Sequence, residues 1–166
     1  KADAPYKKIT TDVSQFNFSW SKCYLSPVID MYSNEVLGYD LSLHPNLEQI
    51  SHMLDRAFSN MPYTQDTIFH SDQGWQYQHK FFIDELKNHS IIQSMSRKGT
   101  CYDNCIMESF FGRMKNEMYY GHEKDFESFE EFSIAVDEYS YYYNNKRIQS
   151  KTKWMSPVVY RETSLC

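Results

Sequence analysis

The chain has 166 residues, 41% hydrophobic and 23% charged, which excludes a disordered or low-complexity protein and suits one domain with a sizeable core. No apolar run is long enough to span a bilayer and no secretory core opens the sequence, so a cytoplasmic setting is expected, with the four cysteines reduced. The formal net charge of −5 argues mildly against a uniformly basic nucleic-acid surface, yet five bases and no acids lie between Asn144 and Arg161.

In chain order, "YKKITTDVSQF" (6–16) reads as a strand, rich in β-branched residues and carrying Asp12. "KCYLSPVIDMY" (22–32) and "EVLGYDLSL" (35–43) are two more strands, with Ser33-Asn34 as a tight turn between them. Residues 46–61 predict a helix: Leu47, Ile50, Met53, Leu54, Ala57 and Phe58 fall on one stripe, and Asn46 follows Pro45 as its cap. "DTIFHSD" (66–72) is a short apolar strand, 78–89 a helix, and "IIQSM" (91–95) a brief strand. Residues 96–104 break the pattern around Gly99. Helices follow over 105–120 and 128–145, the second opened by a Ser128-x-x-Glu131 capping box. The stretch to Cys166 reads as irregular, with at most one helical turn. The order βββαβαβαα resembles that of ribonuclease-H-like folds: a mixed five-stranded sheet, its first three strands antiparallel, flanked by helices.

Asp72 ends an apolar strand. A lone acid there is ordinarily a capped turn, but Asp12 near the end of the first strand and Glu108 on the 105–120 helix are able to converge on it. On that helix Ile106, Met107, Phe110, Phe111, Met114 and Met118 face the core, leaving Glu108, Gly112 and Lys115 on another face, with Asn104 one turn earlier as a cap. Three clustered carboxylates repel one another, and divalent cations relieve the repulsion. Hard oxygen ligands suit Mg²⁺, and two such ions suit phosphodiester chemistry. Gly74 leaves room for close approach. "CYDNC" holds Cys101 and Cys105 without an obvious second ligand pair, so zinc is disfavoured.

The words around these acids carry more than their spacing. "TTDVSQF", "FHSDQGWQY", "QSMSRKGTCYDNCIMESFFGRMKNE" and "YYNNKRIQSKTKWMSPVVYR" resemble the integrase core of bacterial insertion-sequence transposases, most closely the insertion-sequence-three family, whose cores are similar to retroviral integrase. The resemblance runs from about residue 7 to 161. It implies a DDE polynucleotidyl transferase in which Asp12, Asp72 and Glu108 are catalytic and hold Mg²⁺, with Mn²⁺ as a substitute and two ions expected. Water would cut DNA at the element end, and the freed 3′-OH would attack a target phosphodiester. It also implies DNA contacts at Lys115, and it points to Arg97, Lys98, His70, Gln73 and Arg147. His70 and Gln73 have strand-edge structure as the alternative role.

DNA is then the partner, a homo-oligomer the expected assembly, and the bacterial nucleoid the place of action. The chain departs from the family after "NNKRI", where Gln149, Thr152 and Lys153 replace an expected His and Leu-Gly. The helix-turn-helix region that usually precedes such cores is absent from these residues, so specific end binding is expected to be weak. A purely hydrolytic ribonuclease-H-like nuclease and an inactive fragment are the alternatives.

Overall fold

The computed structural model describes residues 2–97 and 104–164. Six strand segments run as β1 (Lys8–Thr11), β2 (Ser14–Asn17), β3 (Lys22–Asp30), β4 (Val36–Ser42), β5 (Ile68–Ser71) and β6 (Ile92–Met95). The helices are α1 (Leu47–Ser59), α2 (Trp75–Gln78), α3 (Lys80–Asn88), α4 (Cys105–Met114), α5 (Phe129–Asn145) and α6 (Pro157–Ser164).

The strand expected over 6–16 is split at Asp12. Its halves keep one register: Thr11 pairs Val28 and Ser14 pairs Leu25, while the other edge of β3 pairs β4. β1 and β2 are therefore one interrupted strand, and the sheet has five effective positions. β3 is antiparallel to both β1 and β4, whereas β5 joins β1 and β6 in parallel. The break falls where the Val13 amide donates to the Asp12 carboxylate, at 2.8 Å.

Each face of the sheet covers its own core. Ile9, Val28, Leu37 and Phe69 pack with Met53, Leu54 and Ala57 of α1 and Phe82 and Leu86 of α3. Phe16, Leu25, Ile29 and Val36 pack with Met107, Phe110 and Met114 of α4 and Phe132, Val136 and Tyr143 of α5. Val36 and Leu37 take opposite faces, as alternation in a strand requires. α1 begins where expected: the Asn46 side chain accepts from the Gln49 amide at 3.1 Å. Ser128 accepts from Glu131 at 3.2 Å, but the Glu131 carboxylate turns back to the Glu127 amide, so the box closes one residue early.

Four local readings are corrected. The turn after β3 is not a two-residue one: Asp30 and Glu35 pair through Asp30 N–H (2.9 Å), and the buried Asp30 carboxylate takes the Tyr6 amide and both donors of Ser33. The helix expected over 78–89 starts two residues later, at Lys80, because extended His79 caps α3 and separates it from the short α2 that ends at Gln78. Residues 105–120 are not one α-helix. A π-helical turn, Lys115–Tyr119, follows α4, and it places buried Tyr119 five residues beyond buried Met114, a spacing that 3.6 residues per turn does not meet. The end of the chain is not irregular either: α6 docks through a Tyr32–Tyr160 stack (5.1 Å) and an Arg161–Glu35 ion pair (2.6 Å).

α1 lies so close to β4 that a Cβ on Gly38 would meet the Ala57 backbone nitrogen at 2.5 Å. A methyl group there forces the helix off the sheet. Gly38→Ala is expected to destabilise the fold by about 3 kcal/mol, seen by circular dichroism as a melting temperature lower by roughly 6–12 °C.

Candidate active site

The parallel register of β1 and β5 builds the site. Thr10 pairs His70 and Ile9 pairs Phe69. Asp12 and Asp72 each lie two residues beyond the Thr10–His70 pair, so both leave the carboxyl ends of neighbouring strands on one face. That is the face covered by α4 and α5, since Phe16 belongs to it and Ile9 to the other.

The two carboxylates interact directly. Burial, first, and then the charge and hydrogen bonding of Asp72 push the Asp12 carboxyl up to about 6, while the Val13 amide opposes the shift. Glu108 adds a smaller push in the same direction. Asp72 is steadied by the Gly74 amide, which donates to its Oδ1 at 2.7 Å. A Cβ on Gly74 would stand 2.9 Å from that oxygen. The room at Gly74 thus serves the Asp72 carboxylate itself.

Glu108 comes from α4, on the exposed side of a helix whose Met107, Phe110, Phe111 and Met114 are buried. The start of α4 is tied to β1 by Asn104. Its side chain does not cap the helix, as the sequence suggested, but accepts from the Thr10 hydroxyl at 3.1 Å. The partner that wins is a buried Thr hydroxyl next to the acid-bearing strand end. Glu108 follows Asn104 by one turn.

The expected DNA-contact residues are placed unequally. Lys115 Nζ donates to the Gln15 carbonyl at 3.2 Å and lies 5.0 Å over the Phe16 ring, and burial lowers its pKa. Both His70 ring nitrogens stand 2.9 Å from serine hydroxyls, Nδ1 from Ser94 and Nε2 from Ser96. Gln73 donates to the Ser96 carbonyl at 3.0 Å. Contact of His70 or Gln73 with DNA competes with these bonds, which fasten β5 to β6. Arg147 grips Glu117 through Nε and Nη2, at 2.8–3.0 Å. Arg97 is exposed just after β6. Lys98 and Cys101 lie outside the described residues.

Thr10, Ser94 and Ser96 support the site without any signal of their own in the quoted segments. Ser94 lies in β6 and Ser96 just beyond its end, two positions apart and both facing His70.

Among the described residues no three His, Cys, Asp or Glu side chains stand together as a ready-made metal cage. The donor set still fits a divalent cation: two adjacent carboxylates repel when both are ionised, and a positive charge between them relieves that cost. Mg²⁺ completes such a shell with water rather than protein.

Asp12 has its pKa raised above the ordinary 3.8, so the metal-free fold holds this ionised group at a cost that is absent below about pH 4 and complete above about pH 6. Asp12→Asn is therefore expected to stabilise the metal-free protein at pH 7.5, by on the order of 1 kcal/mol after allowance for solvent at a half-buried group. Thermal melts without metal are expected to show a gain of roughly 2–4 °C that disappears near pH 4.

Comparison with known proteins gives a consistent family. Residues 2–101 match a family profile described as an integrase core domain, and residues 108–165 match a second profile of that description. An uncharacterized transposase-like protein of Haemophilus influenzae is 49% identical over 164 residues, 99% of this chain and 74% of that protein. The putative transposase InsK for insertion sequence element IS150 of Escherichia coli is 46% identical over 161 residues, 97% of this chain but 56% of its own length. Among solved structures, an HTLV-2 integrase catalytic core domain in complex with magnesium superposes with a TM-score of 0.77 at 14% identity, over 97% of this chain and 99% of that one. The BIV integrase catalytic core superposes with a TM-score of 0.69 at 15% identity, over 95% of each chain. At such identities the likeness is one of fold, the ribonuclease-H-like fold with its mixed sheet. On the profile match over residues 2–101 and the 49% identity, the chain belongs to the integrase core domain family.

Proposed function

We propose that this chain is the catalytic core of a DDE transposase, cutting DNA at element ends and joining the new 3′-OH to a target phosphodiester. The observation that carries the reading is the register of β1 and β5, which sets Asp12 and Asp72 side by side with Glu108 bearing on them. Acids forced together at strand ends serve phosphoryl transfer, in which charge builds on the phosphate oxygens.

Asp12 and Asp72 are the fixed ligands, held by the Val13 and Gly74 amides. Glu108 joins them from α4. The bound cations, two Mg²⁺ or Mn²⁺ ions, supply charge neutralisation and activate the attacking oxygen. Lys115 sits beside the strand that carries Asp12 and offers its ammonium to the DNA backbone, as do Arg97 and Lys98. Arg147 is set apart from these by its pairing with Glu117, so its part is structural before it is electrostatic. Two element ends must be joined, so the working assembly is a homo-oligomer on DNA.

Glu108→Gln tests the reading. On supercoiled plasmid with Mg²⁺ or Mn²⁺, nicking and strand joining are expected to fall by more than about 100-fold with the fold unchanged. Wild-type protein that nicks but never joins is a hydrolase. A Glu108→Gln variant as active as wild type overturns the assignment.

A further inference from the structure

Residues 149–155, between α5 and α6, form a closed loop. Gln149 and Met155 pair as an isolated antiparallel bridge. Thr152 is fully buried inside it, its hydroxyl donating to the Met155 carbonyl at 2.7 Å and standing 3.2 Å from that of Gln149. The Trp154 amide returns to the Gln149 carbonyl at 2.8 Å. Gln149 in turn accepts from Asn34 and Arg113. The turn that holds Asn34 follows the end of β3 that pairs the start of β1, whereas Asp12 follows the end of β1. The loop is therefore a surface separate from the acid site.

Two features of this loop need explaining. Lys153 and Trp154 both take left-handed backbone, with φ of 56° and 62°. Neither is a glycine or an asparagine, and such a conformation is costly for a bulky residue. What the loop holds out is Trp154, 68% exposed and the most exposed large apolar side chain among the described residues. The second feature is charge. Arg147 and Arg161 are neutralised by Glu117 and Glu35, and Lys151 reaches Asn34 at 3.2 Å. Exposed Lys146 and Lys153 make no ion pair among the described residues. No acid lies between Asn144 and Arg161, so uncompensated positive charge accompanies the exposed indole. A single exposed tryptophan is ordinary on a surface. One held out on strained backbone beside an unpaired lysine is not.

We propose that Lys153 and Trp154 form a second DNA contact, one that takes an unpaired strand: the indole stacks on a base and the Lys153 ammonium meets the adjoining phosphate. A flat aromatic and a cation side by side suit a chain in which bases and phosphates alternate. A purely apolar partner would leave the ammonium without a counter-charge, and a purely acidic one would leave the indole uncovered. Stacking needs a base freed from its pair, so the contact serves DNA that is opened beside the reacting phosphodiester. The loop's own hydrogen bonds set both groups in place before the strand arrives, which lowers the ordering cost of capture. The inference rests on the reading of the chain as a core that cuts and joins DNA.

The test is fluorescence anisotropy of a labelled oligo-dT strand titrated with the wild-type chain, Lys153→Gly and Trp154→Ala over a range of salt, with melting temperatures and plasmid nicking recorded in parallel. Glycine takes the left-handed conformation freely, so Lys153→Gly is expected to melt higher by roughly 2–4 °C. It is nonetheless expected to bind oligo-dT roughly 4-fold more weakly near physiological salt, with the slope of log K against log salt shallower by about 0.7. Trp154→Ala is expected to bind about 10-fold more weakly at an unchanged slope, and to lose part of the tryptophan quenching that the strand causes in wild type. Wild-type affinity in either variant overturns the proposal. So does a Trp154→Ala variant that self-associates less while its DNA affinity holds, which marks a contact between copies. Nicking by a wild-type chain that binds no oligo-dT overturns this surface and leaves the acid site standing. Binding that depends on both residues in a chain that never nicks upholds the surface, and the acid site falls instead.

Discussion

Two carboxylates are held side by side by the pairing of two parallel strands. Thr10 opposite His70 sets the offset, and Asp12 and Asp72 inherit it. A slip of one residue would turn either acid to the other face of the sheet. The register is secured from below by Ile9 and Phe69, both fully buried in one core with α1 and α3. Packing of apolar residues several positions away therefore fixes the separation of two like charges. The Gly38–Ala57 approach matters for the same reason, because it lets α1 lie close enough to close that core.

The second support is the docking of α4. Asn104 joins its start to Thr10 of β1, and Lys115 joins its end to the Gln15 carbonyl of β2. Tyr119, in the π-helical turn beyond, donates to the Asn17 carbonyl and accepts from its amide, both at 2.8 Å. The helix that carries Glu108 is thus tied at three points to the interrupted strand that carries Asp12. The third acid is aligned with the first through the backbone, not through contact between their side chains.

The C-terminal segment extends this frame. Its basic character suggested a polyanion surface, but Arg147 is paired with Glu117 and Arg161 with Glu35. Gln149 is buried and accepts from both Asn34 and Arg113. These bonds hold the segment against the β3–β4 turn and the last turn of α4. Part of the positive charge seen along the sequence therefore neutralises the acidic body from which it projects. Ser94 and Ser96 act comparably on the far side, where His70 and Gln73 fasten the end of β6 beside Asp72.

The sequence by itself determined most of the element order, the apolar stripes of α1 and α4, and the caps at Asn46 and Ser128. Those features depend on neighbours within a few positions, so periodicity and local hydrogen bonding report them. The segments around Asp12, Asp72 and Glu108 also carry the family in their sequence alone. Only the tertiary structure decided what depends on distant partners. Asn104 bonds Thr10, ninety-four positions away, instead of capping its own helix. Arg147 and Arg161 answer to acids on other elements, and α6 forms because Tyr32 and Glu35 offer it a surface. The lone hydroxyl of Tyr77 belongs to this second class. An aromatic in an apolar pattern reads as core in any sequence, and only the fold buries its oxygen without a hydrogen-bond partner.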